Sequence, residues 1–362
     1  MTDAPFRADH VGSLLRPKRL LALRERYGAG GAGAGELRAA EDAAIEAVVA
    51  MQHAIGLEGV TDGEFRRHSF HGDFIGRLEG VEFRPLESDG TAFKAPFVAV
   101  VSTRIGLPPG GIETESFEFL SRLTDRTAKQ TIPSPTMLHF RGGREAIDRR
   151  AYPEMSEFFA DVARVYREEI AGLAGAGCRY LQLDDTNLAY LCDDRMRAEA
   201  EGRGEDLATL PHDYARLINE SIRDRPASMA VCVHLCRGNA MSRWFAEGGY
   251  EPVADVVFNE IDVDGFFLEF DDERSGDFSP LRFVPAGKKI VLGLITSKTG
   301  RLEDPDAVKR RIDEAARFVP LEQLCLSPQC GFASAASGNL LTEDEQKRKL
   351  ALVVEVADDV WG

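Results

Sequence analysis

From Leu57 onward, short apolar runs alternate with long segments of helical period, a rhythm that few architectures accommodate. The apolar runs are GVTDGE at 59–64, TIPSPTMLH at 131–139, YLQLDD at 180–185, MAVCVHLC at 229–236, GFFLEFDD at 265–272, KIVLGLIT at 289–296 and QLCLSPQC at 323–330. With HVGSL near the start they make eight strand candidates. Helical patterns fall near 153–176, 205–223, 241–248, 303–318 and 343–358, and serve as crossovers between parallel strands. Apolarity along the runs is continuous rather than alternating, as in a sheet buried on both faces. Eight such strands predict a closed (β/α)8 barrel, a TIM-barrel fold, spanning residues 1–362 as a single domain. One segment, 81–106, breaks the rhythm and reads as a β-hairpin around SDGT inserted after the second strand. The glycine-rich stretch GAGGAGAGE at 28–36 reads as a loop between a short basic helix and a longer one.

Composition narrows the partners. Sixty acidic residues against 44 basic ones leave a formal charge of −16, the wrong sign for a phosphate backbone or an anionic membrane. The start MTDAPFRADHVGS lacks the apolar core of a signal peptide, and no run approaches the ~20 apolar residues of a membrane span. A cytoplasmic location is expected, with small molecules as partners. Six cysteines in 362 residues are too sparse for a disulfide scaffold and are expected reduced.

In a barrel the chemistry lies at the carboxyl ends of the strands. Sorting those ends collects Glu64, Asp184, Asp185, His234, Cys236, Glu269 and Cys330. His234 and Cys236 are two apart, so an extended strand projects both to one face. Alone, such a pair is more often a satisfied histidine beside a buried cysteine. Cys330 in the turn SPQCGF, and Glu269 charged within an apolar strand, favour a zinc site instead. Glu260 reads as a surface carboxylate, and Cys178, Cys192, Cys232 and Cys325 as small core residues.

The segments VHLCRGN, FFLEFDDERSG and LSPQCGF together resemble the catalytic domain of cobalamin-independent methionine synthase, in order and in separation. The likeness runs from HVGSLLRP to the last strand and is nearest to the short single-barrel homologues of that family. It implies zinc held by His234, Cys236, Glu269 and Cys330, and homocysteine as the thiol. By the same likeness, homocysteine meets Val11, Gly12, Ser13, Glu64 of DGEF and Asp184 of LQLDD. Four departures accompany it. Lys298 in LITSK stands where the family has its proton-donating histidine, with Thr296 and Ser297 as neighbouring candidates. Tyr190 replaces a folate-contacting glutamate, and Phe140 a folate-stacking tryptophan. Thr91 stands in place of an arginine.

Such a site performs thiol alkylation. A free thiol is mostly protonated at neutral pH, and coordination to zinc removes the proton. Two cysteinates keep a bound thiolate nucleophilic, and Glu269, a hard oxygen donor, is the ligand a thiol can displace. Transfer of a methyl group from methyltetrahydrofolate or another methyl donor also needs a proton at the leaving atom, for which Asp184, Asp185 and Lys298 are candidates. Two alternatives compete with it. A sulfonate thiol like coenzyme M, opening an epoxide, would require Arg237, Arg274 or Lys298 to face the pocket. A zinc-stabilised binding barrel without catalysis would use a closed local motif, whereas these ligands spread from position 234 to 330.

Overall fold

Parallel pairing of short, twisted strands governs the architecture seen in the computed structural model, which describes residues 4–85 and 97–362. The strands are β1 (Gly59–Val60), β2 (Glu79–Pro85), β3 (Phe97–Gly106), β4 (Thr127–Pro133), β5 (Tyr180–Asp185), β6 (Ala230–Leu235), β7 (Gly265–Glu269), β8 (Lys289–Ile295) and β9 (Leu324–Pro328). Seven form one sheet in the order β1-β4-β5-β6-β7-β8-β9, every neighbour parallel. The helices are α1 (Lys18–Gly28), α2 (Ala34–Ile55), α3 (Gly72–Ile75), α4 (Thr114–Ser121), α5 (Met155–Gly175), α6 (Asn187–Tyr190), α7 (Asp194–Gly202), α8 (Leu210–Ile222), α9 (Ala254–Glu260), α10 (Pro305–Ala315) and α11 (Glu343–Trp361). None of the described helices is long and apolar enough to cross a membrane.

The eighth stave is the N-terminal segment. Ala8 bridges Leu326 in parallel, and the Asp9 N–H donates to the Leu326 carbonyl at 3.0 Å. On the other side the Leu14 N–H donates to the Gly63 carbonyl at 3.0 Å. Residues 7–14 therefore lie between β9 and β1 and complete the TIM-type ring. The expected strand HVGSL is not regular, because Gly12 takes φ 135°. A side chain there would start 2.6 Å from the Thr131 methyl.

Three other sequence expectations change in detail. The strand expected at 59–64 stops at Val60, since Gly63 and Glu64 turn the chain with φ of 66° and 61°. The one expected at 131–139 starts earlier and ends at Pro133, where Pro135 opens a 3-10 turn. No helix forms over 241–248. There the Phe245 and Ala246 N–H groups both turn to the Arg237 carbonyl, at 2.9 and 3.1 Å, instead of to an i−4 partner. Met241 and Ser242 accordingly sit at positive φ, and the crossover helix is α9. The inserted hairpin is present as β2 paired antiparallel with β3. Its expected SDGT turn and Thr91 lie outside the described residues.

The barrel interior is layered. Near the amino ends of the strands, Tyr180, Cys232, Phe267, Val291 and Cys325 pack with Val11. In the same layer lies a fully buried Lys129–Asp9 ion pair at 3.1 Å. Asp9 also accepts from the Tyr180 hydroxyl at 2.8 Å, so the charges are compensated by hydrogen bonds as burial requires. Side chains two residues further along each strand form the next layer up. That step leads from Tyr180 to Gln182 and Asp184, from Cys232 to His234 and Cys236, and from Phe267 to Glu269. Alternate residues such as Leu181, Leu183, Val231 and Val233 face outward into the large core beneath the helices.

Candidate active site

His234 and Cys236, at the end of β6, and Cys330, just past β9, bring their ligand atoms within 4.8 Å of one another, all buried. Strand period places the first two on one face, and neighbouring loops fix the third. Asn239 Nδ2 and Ser297 Oγ both donate to the Gly331 carbonyl, at 2.9 and 3.0 Å, which holds the turn bearing Cys330. Gly331 is needed there, because a side chain would meet Ser13 Oγ at 1.9 Å.

The Cys236 and Cys330 sulfurs are 3.6 Å apart. Two sulfurs each about 2.3 Å from one ion at a tetrahedral angle would be about 3.8 Å apart, so the pair is already spaced for zinc. A hydrogen bond with Cys236, assisted by His234, holds the Cys330 thiol down to about 5 despite burial. Burial alone would lower His234, but hydrogen bonds with Asp184 and Cys330 raise it to about 10. Asp184 Oδ1 is 3.2 Å from His234 Nδ1, which leaves Nε2 as the ring nitrogen free of the carboxylate.

Glu269, the fourth expected ligand, is fully buried but lies outside that group of three. Its Oε1 accepts from Lys298 at 3.0 Å and Arg274 at 2.6 Å, and its Oε2 from the Arg237 N–H at 2.7 Å. Burial would raise its pKa, yet Lys298, Arg274 and Arg237 hold the carboxylate down to about 2. Lys298 also reaches Asp271 at 3.0 Å.

A cavity opens directly over the three ligands and is bordered by Val11, Ser13, Glu64 and Asp184. Glu64 Oε1 accepts from Thr131 Oγ1 at 2.8 Å and faces Arg67 at 3.5 Å, while its buried Oε2 has no partner among the described residues. Burial, with the like charge of Asp184 and against the pull of Arg67, pushes Glu64 up to about 7. Asp185 turns away from the cavity. It accepts from Thr136 Oγ1 at 2.6 Å and from the Leu188 N–H at 2.9 Å, capping the next loop.

Lys298, Phe140, Arg237 and Arg274 do not border the cavity. Phe140 is buried against Tyr190, with the Arg203 guanidinium over its ring. Gly12 shapes the backbone between two lining residues rather than lining it. Conversely, sequence reasoning passed over Arg67, Arg141, His71, Phe70, Phe97 and Phe245, all but the first of which border the cavity. None has ligand spacing or a strand-end position. For His71 and Phe70 the available signal was the aromatic and histidine run HSFHGDF at 68–74, two residues after DGEF. Glu260 is exposed, 2.8 Å from His212, as a surface carboxylate should be. Cys178, Cys192, Cys232 and Cys325 are buried free thiols in the core.

Comparison with known proteins gives the family and the fold. The profile of the "Cobalamin-independent synthase, Catalytic domain" family matches residues 6–359. The uncharacterized protein YxjH of Bacillus subtilis is 47% identical over 370 residues, covering 99% of this chain and 95% of its own. A solved structure from Listeria monocytogenes, described as a candidate vitamin-B12-independent methionine synthase, is 43% identical with a TM-score of 0.81, covering 100% of both chains. A B12-independent methionine synthase from Shewanella sp. W3-18-1, solved in complex with selenomethionine, shares the fold at 19% identity and a TM-score of 0.75, covering 98% of this chain and 97% of its own.

Proposed function

The chain belongs to the family of cobalamin-independent synthase catalytic domains, and from that premise we propose that it transfers a methyl group to the sulfur of homocysteine, giving methionine. The observation that carries this reading is the buried His234–Cys236–Cys330 group at the base of a cavity bordered by Glu64 and Asp184. His234, Cys236 and Cys330 would hold zinc, with Glu269 as a fourth, exchangeable ligand. A zinc ion held there supplies the acidity that strips the proton from a coordinated thiol. Glu64 and Asp184 would receive the substrate ammonium, and the backbone and hydroxyl at Val11, Gly12 and Ser13 its carboxylate. The Shewanella relative, solved with the seleno-analogue of the same product, supports an amino-acid acceptor.

A cavity wall of Phe70, Phe97, Tyr190 and Phe245 supports a flat methyl donor such as methyltetrahydrofolate, with Phe140 acting from behind Tyr190. As the new C–S bond forms, the donor's bond to the methyl carbon breaks and its leaving atom takes up the proton that the thiol gave up, which Asp184 at the cavity border would hold and pass on. Asp184 borders the cavity and is the group we assign to substrate contact. Lys298 is turned to Glu269 and Asp271, and its part is argued below. Of the cations a sulfonate thiol could use, Arg237, Arg274 and Lys298 are all turned to Glu269, which leaves Arg141, beside His71, as the guanidinium that borders the cavity and the one feature that favours this second reading. The family match from 6 to 359 supports one catalytic domain over the whole chain, and the free cysteines support a reducing, cytoplasmic setting.

The test is metal content. Wild-type protein purified without chelators should carry about one zinc per chain, and Cys330→Ser and His234→Ala should lose it. X-ray absorption should then show one added sulfur ligand with homocysteine and none with coenzyme M. A wild type without zinc rejects the reading, and sulfur addition by coenzyme M alone turns it to the epoxide chemistry.

A further inference from the structure

Glu269 has its main chain fixed from both sides. Its N–H donates to the Tyr250 hydroxyl at 2.8 Å, and its carbonyl accepts from Arg237 at 3.2 Å. Only the side chain is left to move. An ionised carboxylate offers about four lone-pair directions. Lys298, Arg274 and the Arg237 N–H take three of them, two through cations. The His234–Cys236–Cys330 group closes up without it.

Both cations have somewhere else to go. Lys298 Nζ lies 3.0 Å from Asp271, and Arg274 lies 3.6 Å from Asp271 and 3.4 Å from Asp272, with its guanidinium over the Trp244 ring. Releasing Glu269 therefore strands no buried charge, the usual obstacle to moving one. Lys298 and Arg274 together balance Glu269 and Asp271, just as a zinc dication would balance the two cysteinates.

We propose that Lys298 is a positioning residue that competes with the bound metal for the Glu269 carboxylate. It keeps Glu269 a weak fourth ligand, so that the substrate thiol finds a coordination position it can take. Removing the ammonium leaves Glu269 one cation short beside a dication and drives it onto the metal. The role rests on the zinc assignment above.

Zinc dissociation constants from competition with a chromophoric chelator, and the visible spectrum of the cobalt(II)-loaded protein, test it. Lys298→Met should bind zinc about tenfold more tightly, a shift of the size that groups behind the ligands produce. It should also need about tenfold more homocysteine to raise the sulfur-to-cobalt charge-transfer band. Lys298→Arg should restore wild-type values, and adding Glu269→Gln to Lys298→Met should abolish the tightening. If methionine at this buried position unfolds the chain, Lys298→Gln carries the same expectation. A folded Lys298→Met with unchanged zinc affinity, cobalt spectrum and thiol titration overturns the role. So does a loss confined to kcat and its pH profile, which would make Lys298 a proton donor. A wild type that takes up neither zinc nor cobalt overturns the zinc assignment instead.

Discussion

Glu64 sits at a positive φ, fully buried, with one carboxylate oxygen unpartnered among the described residues and Asp184 close enough to repel it. Such a group holds its proton until about pH 7, and an arriving ammonium is what favours its ionised form. Acceptor binding should therefore strengthen as pH rises through about 7, because the carboxylate is then already free to receive the ammonium. Glu64→Gln should raise the KM for homocysteine by about 10- to 100-fold, the worth of a charge-assisted hydrogen bond. It should also flatten the pH dependence of that KM between pH 6 and 8. Steady-state kinetics across that range decide it, and an unchanged KM would remove Glu64 from the acceptor site. Sequence pattern marked Glu64, but not Arg67, which shares its oxygen and bonds Glu113 at 3.3 Å. Arg67 falls in a turn without periodicity, so no local rule singles it out.

At the scale of elements, the ends of β6 and β7 are joined by a residue from neither. The Tyr250 hydroxyl donates to the Leu235 carbonyl at 2.6 Å and accepts from the Glu269 N–H at 2.8 Å. Tyr250→Phe leaves that buried N–H without a partner and should cost about 1–3 kcal/mol of stability by chemical denaturation. Metal affinity should fall with it, since Leu235, the residue between His234 and Cys236, and Glu269 then lose their common anchor. Equal stability and affinity in the variant would show the strand ends to be held by the sheet alone. Helices α5, α10 and α11 lie within a few residues of their expected ranges, because amphipathic period and caps are local properties. The segment 241–248 escaped this rule because the Phe245 and Ala246 N–H groups found their acceptor in the Arg237 carbonyl, eight and nine residues back, outside the i−4 pattern that helical period reads.

Across the whole molecule, buried histidines set the response to acid. Burial holds His10 and His139 down to about 4, and His71 well below the usual value. Unfolded, each takes up its proton near 6.5. The contribution of His10 and His139 is thus fully present above pH 6.5 and is lost as pH falls towards 4, with an upper bound of about 3 kcal/mol each, and His71 acts in the same direction. Glu113, Glu169 and Asp185, raised by burial, act in the opposite sense, favouring the fold at low pH and losing that effect as pH rises. The difference between wild type and His139→Gln isolates the first effect. Denaturation midpoints should converge as pH falls from 6.5 to 4.5, and a constant difference would mean that His139 does not titrate on unfolding.

Read alone, the sequence determined that this chain forms a parallel α/β ring and that His234, Cys236 and Cys330 face one mouth. The ring, and the shared face of His234 and Cys236, follow from short-range periods, two along a strand and 3.6 along a helix, with the right-handed crossover supplying the closure, while Cys330 was marked by its position just past a strand end. What only the tertiary structure decided is the company each residue keeps. HVGSL, expected as the eighth strand, holds that place in the ring as an irregular segment, because Leu326 and Gly63 supply its partners and Gly12 turns its backbone. Lys298, expected at the reacting atoms, was drawn to Glu269 and Asp271 because two buried carboxylates need cations and it lies within 3.0 Å of both. Long-range charge compensation has no period in a sequence, so only the closed barrel shows it.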